Sequence, residues 1–151
     1  MSDADFMHPQ QCLGANLRKA ARVATQLYQD QLRDSGLQGT QFTLLAALNG
    51  FGTCTLSELA AWVGIDQTTA TRSVELLRRD GLVEVRPGAT DRRVRELALT
   101  AAGRKALGAA LPSWREAQRH AVERFGPEKS RQLLALLAEF TALGRGAGVA
   151  D

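Results

Sequence analysis

The stretch from Thr55 to Leu99 constrains this chain more than any other. Thr55 precedes an apolar helical segment, and Glu58 follows it by three residues, the arrangement of a capping box. A helix over 55–63 is expected. Gly64-Ile65 makes a tight turn, and Asp66 caps a further helix, Gln67 to Arg79, which ends at Asp80-Gly81. The run Leu82-Val83-Glu84-Val85-Arg86 then alternates as a strand does. Pro87 to Asp91 reads as a turn, and Val94 to Leu99 supplies a second strand. The connection between these strands is too long for a two-residue turn, so something further must fix its tip.

The flanks read as helices. Residues Gln11 to Arg33 carry Leu13, Leu17, Ala20, Ala21, Ala24, Leu27, Gln31 and Leu32 close to helical spacing and stop at Ser35-Gly36. Thr40 is read as the cap of a second helix, Gln41 to Asn49, ended by Gly50 and Gly52. Its Phe42, Leu44, Leu45, Ala47 and Leu48 are apolar nearly all round, which predicts burial. Thr100 caps a fifth helix to about Arg124, with Leu107, Leu111, Trp114, Ala121, Val122 and Phe125 as its stripe. Pro112 lies inside it and is expected to kink or split it. Pro127 opens a sixth helix, to Leu143, and a disordered tail is expected over 147–151. The fold class is mainly α with a small β-hairpin wing. A winged helix-turn-helix over 39–100 is flanked by helical regions over 1–38 and 101–146.

Such a unit lays its second helix in the major groove of DNA. At about 100° per residue, Ala70, Val74 and Leu77 stack on one side of Gln67–Arg79. Thr68, Arg72 and Arg79 fall opposite, with Thr71 and Glu75 at the margin. Short hydroxyl side chains let a helix sit deep in the groove, and an arginine can bond a guanine edge or a phosphate. The capped N-terminus behind Asp66 leaves N–H groups for a phosphate. At the hairpin tip, Asp91-Arg92-Arg93 places two guanidinium groups where they can enter a minor groove. Asp91 is expected to pair with Arg93 and hold the wing in shape. Charge agrees with this reading. The chain is +3 overall, yet residues 72–105 hold nine Lys/Arg against five Asp/Glu, so the remainder is −1. The candidate DNA contacts are Gln67, Thr68, Thr69, Thr71, Arg72, Arg79, Arg86, Arg92 and Arg93.

Other classes find less support. The sequence offers no Gly-rich phosphate loop, no nucleophile elbow and no metal-ligand cluster, so neither an enzyme nor a cofactor is expected. His8 and His120 lie far apart, and the pair His120–Glu116 reads as a surface contact. Nothing approaches the length of a membrane span, and the first ten residues do not look like a signal peptide. Two cysteines, Cys12 and Cys54, suit a reducing cytoplasm. Cys54 reads as structural, on a short strand.

With these residues in place, the span Thr55 to Gly103 resembles the DNA-binding core of the MarR family of bacterial regulators. The matches are Leu59-Ala60, Thr71-Arg72, Leu77 with Gly81-Leu82-Val83, and Asp91-x-Arg93 spaced before Leu97-x-Leu99-Thr100 and Gly103. The resemblance implies a homodimer held by the first, fifth and sixth helices, with Leu13, Leu17, Leu133, Leu136, Leu137, Phe140 and Leu143 as candidate contacts. It implies a repressor on a palindromic operator, with half-sites about 34–36 Å apart. It further implies release by a small phenolic or anionic effector, near Asn16, Arg18, Arg22, Trp62 and the fifth helix. Trp62 is itself read as core, and Arg22 as part of an ion pair. Some relatives sense peroxides through a cysteine near the start of the first helix, which makes Cys12 a candidate redox residue. The chain's one tyrosine, Tyr28, fits that pattern poorly. A winged helix used only for protein contacts is the remaining alternative. It gives no reason for Arg72 and the wing arginines to face outward.

Overall fold

The computed structural model describes residues 6–146, so the tail over 147–151 lies outside the described residues. Two compact units make up the chain, Met1–Trp114 and Arg115–Asp151. In order, the elements are α1 (Leu13–Leu32), α2 (Gly39–Phe51), β1 (Thr53–Thr55), α3 (Leu56–Val63), α4 (Gln67–Arg79), β2 (Val83–Pro87), β3 (Arg95–Leu99), α5 (Ala101–Phe125) and α6 (Pro127–Gly146). Short 3-10 turns at Pro9–Gln11 and Arg33–Ser35 bracket α1.

Local chemistry sets most of these boundaries. Thr55 Oγ1 accepts from the Glu58 amide at 3.2 Å, and Glu58 Oε2 accepts from the Thr55 amide at 2.7 Å, completing the capping box of α3. Gly64 ends α3 at φ +75°, a left-handed conformation that favours glycine. Asp66 Oδ1 accepts from the Thr69 amide at 2.9 Å and starts α4. Thr100 Oγ1 accepts from the Gly103 amide at 3.0 Å and starts α5.

Some expectations need correction. The second helix begins at Gly39, not Gln41, and Thr40 lies within it. The Gln38 amide donates to Gln41 Oε1 at 2.9 Å, so glutamines do the capping. The helix also runs through Gly50 to Phe51 and stops only at Gly52, whose φ is +77°. The first helix starts at Leu13, because Cys12 is extended and serves as its N-cap. Pro112 does not split the fifth helix, which is continuous over Ala101–Phe125.

The sheet has three antiparallel strands in the order β1-β3-β2. Val83 pairs with Leu99 and Val85 with Leu97, while Cys54 faces Leu97 from the other edge. This register turns Val83, Leu97 and Leu99 into a core that also holds Leu32, Leu44, Leu45, Leu48, Leu59, Leu77 and Leu107. Phe42 stacks on Trp114, with ring centroids 5.7 Å apart. Each fully buried leucine contributes roughly 1.5–3 kcal/mol by leaving water.

Trp62 is not in that core. It is 59% exposed, and its ring meets Phe51 edge to face at 5.9 Å. The eight-residue α3 buries Leu59 and Ala60, and its indole lies beyond that narrow face.

Two caps carry a pH consequence. The carboxyls of Glu58 and Asp66 are held below the usual range by bonds to Thr55 and Thr69. A carboxyl whose folded pKa is depressed adds stability above its unfolded pKa and loses it as pH falls through the folded value. Thermal midpoints are therefore expected to drop on acidification through the carboxylate range. The drop should be shallower in Asp66→Asn with Glu58→Gln, and identical acid profiles would contradict the capping assignment.

Candidate nucleic-acid interface

The α3–turn–α4 unit and the β2–β3 hairpin present their polar residues outward. On α4, Ala70, Val74 and Leu77 are buried, whereas Gln67, Thr68, Thr69, Thr71, Arg72 and Arg79 are exposed. The helix is two-faced because three apolar side chains at i, i+4 and i+7 dock it on the core.

The exposed groups differ in what they can still do. Thr69 Oγ1 donates to Asp66 Oδ2 at 2.6 Å, so its hydroxyl belongs to the cap. Thr71 Oγ1 donates to the Gln67 carbonyl at 2.7 Å, leaving it an acceptor. The Thr68 amide bonds to the Asp66 cap but its hydroxyl makes no hydrogen bond among the described residues, and neither Arg72, Arg92 nor Arg93 has an ion pair among them. By contrast, Arg79 lies 3.7 Å from Asp80, and Arg86 is paired with Glu84. Arg78 binds Glu75 at 2.7 Å, and this bond holds the Glu75 carboxyl low. On α4 and the loop between β2 and β3, the cations left without an ion pair are thus Arg72, in the middle of the helix, and Arg92 and Arg93 at the tip.

The tip itself is built by backbone bonds. The Gly88 amide donates to the Val94 carbonyl at 2.9 Å, and the Val94 amide donates to the Asp91 carbonyl at 3.0 Å. Asp91 Oδ1 accepts from the backbone amide of Arg93 at 2.9 Å, not from its guanidinium. Asp91 therefore shapes the loop through an Asx-type turn and leaves both arginine side chains unneutralised. A Cβ at Gly88 would stand 2.7 Å from the Asp91 carbonyl oxygen, so the loop closes too tightly for any larger residue.

Residues expected near an effector are less assembled. Asn16 Nδ2 donates to the Gln10 and Cys12 carbonyls, each at 3.0 Å, and so fastens the start of α1. Arg22 has no ion pair within this chain among the described residues, which leaves the expected pair to an interface. Cys12 is an exposed free thiol. Cys54 is buried on β1, and its thiol is pushed up by burial and by Glu58 and Glu96, which disfavours the reactive thiolate. In the second unit, Glu116 is paired with Arg119 and not with His120. Among the described residues no group of three or more His, Cys, Asp or Glu could hold a metal ion, and no helix is long and apolar enough to cross a membrane.

The helical flanks expose apolar side chains. Leu13 is exposed and Leu17 half-buried on α1. On α6, Leu133, Leu134, Leu136, Phe140 and Leu143 are exposed, Leu143 at 68%, with Leu137 half-buried.

Comparison with known proteins places this geometry. A family model described as MarR family matches residues 35–94. The HTH-type transcriptional repressor NicR of Pseudomonas putida is 36% identical over 104 residues, which cover 69% of this chain and 66% of NicR. The chain thus spans just under two thirds of that curated relative. The M. tuberculosis transcriptional regulator MosR, solved in complex with DNA, is 40% identical, with a TM-score of 0.75 over 91% of this chain and 99% of that one. Bordetella bronchiseptica BpsR, in a structure addressing regulation of its DNA binding by 6-hydroxynicotinic acid, is 26% identical. Its TM-score is 0.78 over 95% of this chain and 98% of that one.

Proposed function

The chain belongs to the MarR family of transcription regulators, and from that premise we propose that it is a repressor binding a palindromic operator as a homodimer. One observation carries the reading. Among the cations of α4 and of the loop between β2 and β3, those without an ion pair are Arg72, in the middle of the exposed face, and Arg92 and Arg93 at the wing tip. In this reading α4 enters the major groove, where Gln67, Thr68 and Arg72 meet base edges. Thr69, Thr71, Arg79 and Arg86 line the approach to the phosphates, and the wing reaches the minor groove. Its place is the cytoplasm of a bacterial cell. A small aromatic acid of the class that regulates BpsR is the effector we propose for release.

Arg72→Ala is expected to cost about 1–3 kcal/mol of discrimination against a changed base pair while leaving the fold intact. Fluorescence anisotropy on duplexes from the DNA beside the protein's own gene measures this. For the wild type, affinity must fall steeply with salt as counterions leave the phosphates. A response to duplex that is flat and near zero at low salt would instead favour the protein-contact alternative.

The exposed leucines of α6 and the apolar residues of α1 are the proposed dimer contacts, since rows of apolar side chains are unfavourable in water. Leu136→Glu with Leu143→Glu is expected to give monomers by light scattering and, by separating the paired reading heads, to weaken operator binding at least about a hundredfold. A double variant that remains dimeric would remove α6 from the interface.

A further inference from the structure

Gln67, the first residue of α4, is tied to the other helix of the pair. Its Nε2 donates to Ser57 Oγ at 2.7 Å, across ten residues of sequence, and both residues are exposed. The bond holds one side of the carboxamide toward α3. Oε1 and the second Nε2 hydrogen remain without a partner among the described residues. Those two groups, an acceptor and a donor, complement the N6 donor and N7 acceptor of adenine in the major groove. Ser57 accepts in this bond, so its own hydroxyl proton remains to be donated, and a phosphate oxygen is the natural acceptor on a duplex.

Resting on the DNA-binding reading above, we propose that Ser57 and Gln67 act as one reading unit for an A·T pair in each half-site. Gln67 is the specificity-determining residue. Ser57 is a positioning residue that presents the carboxamide and, through its proton, couples that presentation to a backbone phosphate. A free glutamine would have to give up side-chain freedom on binding, whereas this one is already held, so its selectivity comes at a smaller cost in entropy. The remaining exposed residues of α4 lack such a link. The Thr68 hydroxyl is free, and Thr69 and Thr71 bond within their own helix or its cap.

The test selects duplexes from a random library with the wild-type protein and then measures binding to every single-base variant of the selected site. The selected half-site should contain one adenine whose replacement costs the wild type about five- to a hundredfold. Gln67→Ala should abolish that discrimination at this base pair alone. Ser57→Ala should reduce it at the same base pair, Ser57→Thr should restore it, and the double variant should discriminate no worse than Gln67→Ala. Unchanged thermal midpoints are expected, since both side chains are exposed. If Gln67→Ala weakens all sequences equally, or if the two single variants act additively at different positions, the proposal fails while the DNA-binding reading stands. A wild type that selects no duplex at all would end both.

Discussion

Replacing Arg92 and Arg93 together by alanine is expected to abolish tight operator binding and leave the oligomeric state untouched. Both guanidinium groups sit on a loop whose shape comes from backbone bonds, at Gly88, Asp91 and Val94, and from the Asp91 carboxylate on the Arg93 amide. Removing the side chains should therefore leave the loop as it is. Neither arginine spends its charge on a carboxylate within the described residues, so nothing inside the protein is broken by the change. A charged hydrogen bond contributes roughly 1.5–3 kcal/mol, and a dimer would lose four such side chains. The expected loss is at least about a hundredfold in affinity. The slope of log affinity against log salt should also become less steep, by about 0.9 for each phosphate that the variant no longer neutralises. Anisotropy at several salt concentrations, paired with light scattering, reads both quantities. Normal binding by the double variant would remove the wing from the interface, however well α4 is placed.

Gly103→Ala is expected to produce the largest loss of stability among alanine replacements of the described glycines. A Cβ at Gly103 would stand 2.0 Å from the Leu82 carbonyl oxygen, 3.0 Å from the Leu82 carbonyl carbon and 3.2 Å from Leu99 Cδ2. The first two are backbone atoms that no rotamer change can move. The same carbonyl accepts from the Thr100 amide at 3.1 Å, and Thr100 Oγ1 donates to the Gly81 carbonyl at 2.6 Å. The start of α5 is thereby closed onto the chain where it enters β2. Overpacking at such a site costs about 1–3 kcal/mol or more, a large share of a marginal total. The thermal midpoint should fall by roughly 6–12 °C if the cost is about 3 kcal/mol. Gly108, in the same helix, supplies the internal control. Nothing lies within 4 Å of a Cβ there. Gly108→Ala should raise stability by about 0.5–1 kcal/mol, because glycine in a helix interior carries excess chain entropy. If the two variants shifted stability equally, the close approach at Gly103 would not be the cause.

The wing result bears on function and the Gly103 result on architecture, yet one short stretch produces both. Asp91, Arg93, Leu97, Leu99, Thr100 and Gly103 follow one another with fixed spacing. The loop chemistry, the strand register and the helix start occupy successive positions, which is why this stretch is so informative as sequence.

What sequence alone determined was chemistry that acts over four residues or fewer, and the two-faced pattern of each helix. The caps at Thr55, Asp66 and Thr100, and the buried triad Ala70, Val74 and Leu77, follow from side chains reaching neighbouring amides and from apolar spacing. Tertiary structure decided whatever depends on which distant segment arrives alongside. The three-residue β1 is a strand only because β3, some forty residues later, supplies its partner at Cys54↔Leu97. Trp62 lies outside because leucines from other segments already fill the core. Asp91 took an amide where a guanidinium was expected, because the turn holds that N–H in place while the longer side chain stays free in solvent. The Ser57–Gln67 bond and the crowding at Gly103 likewise exist only once separate elements have packed, since spacing along a chain does not encode distance across it.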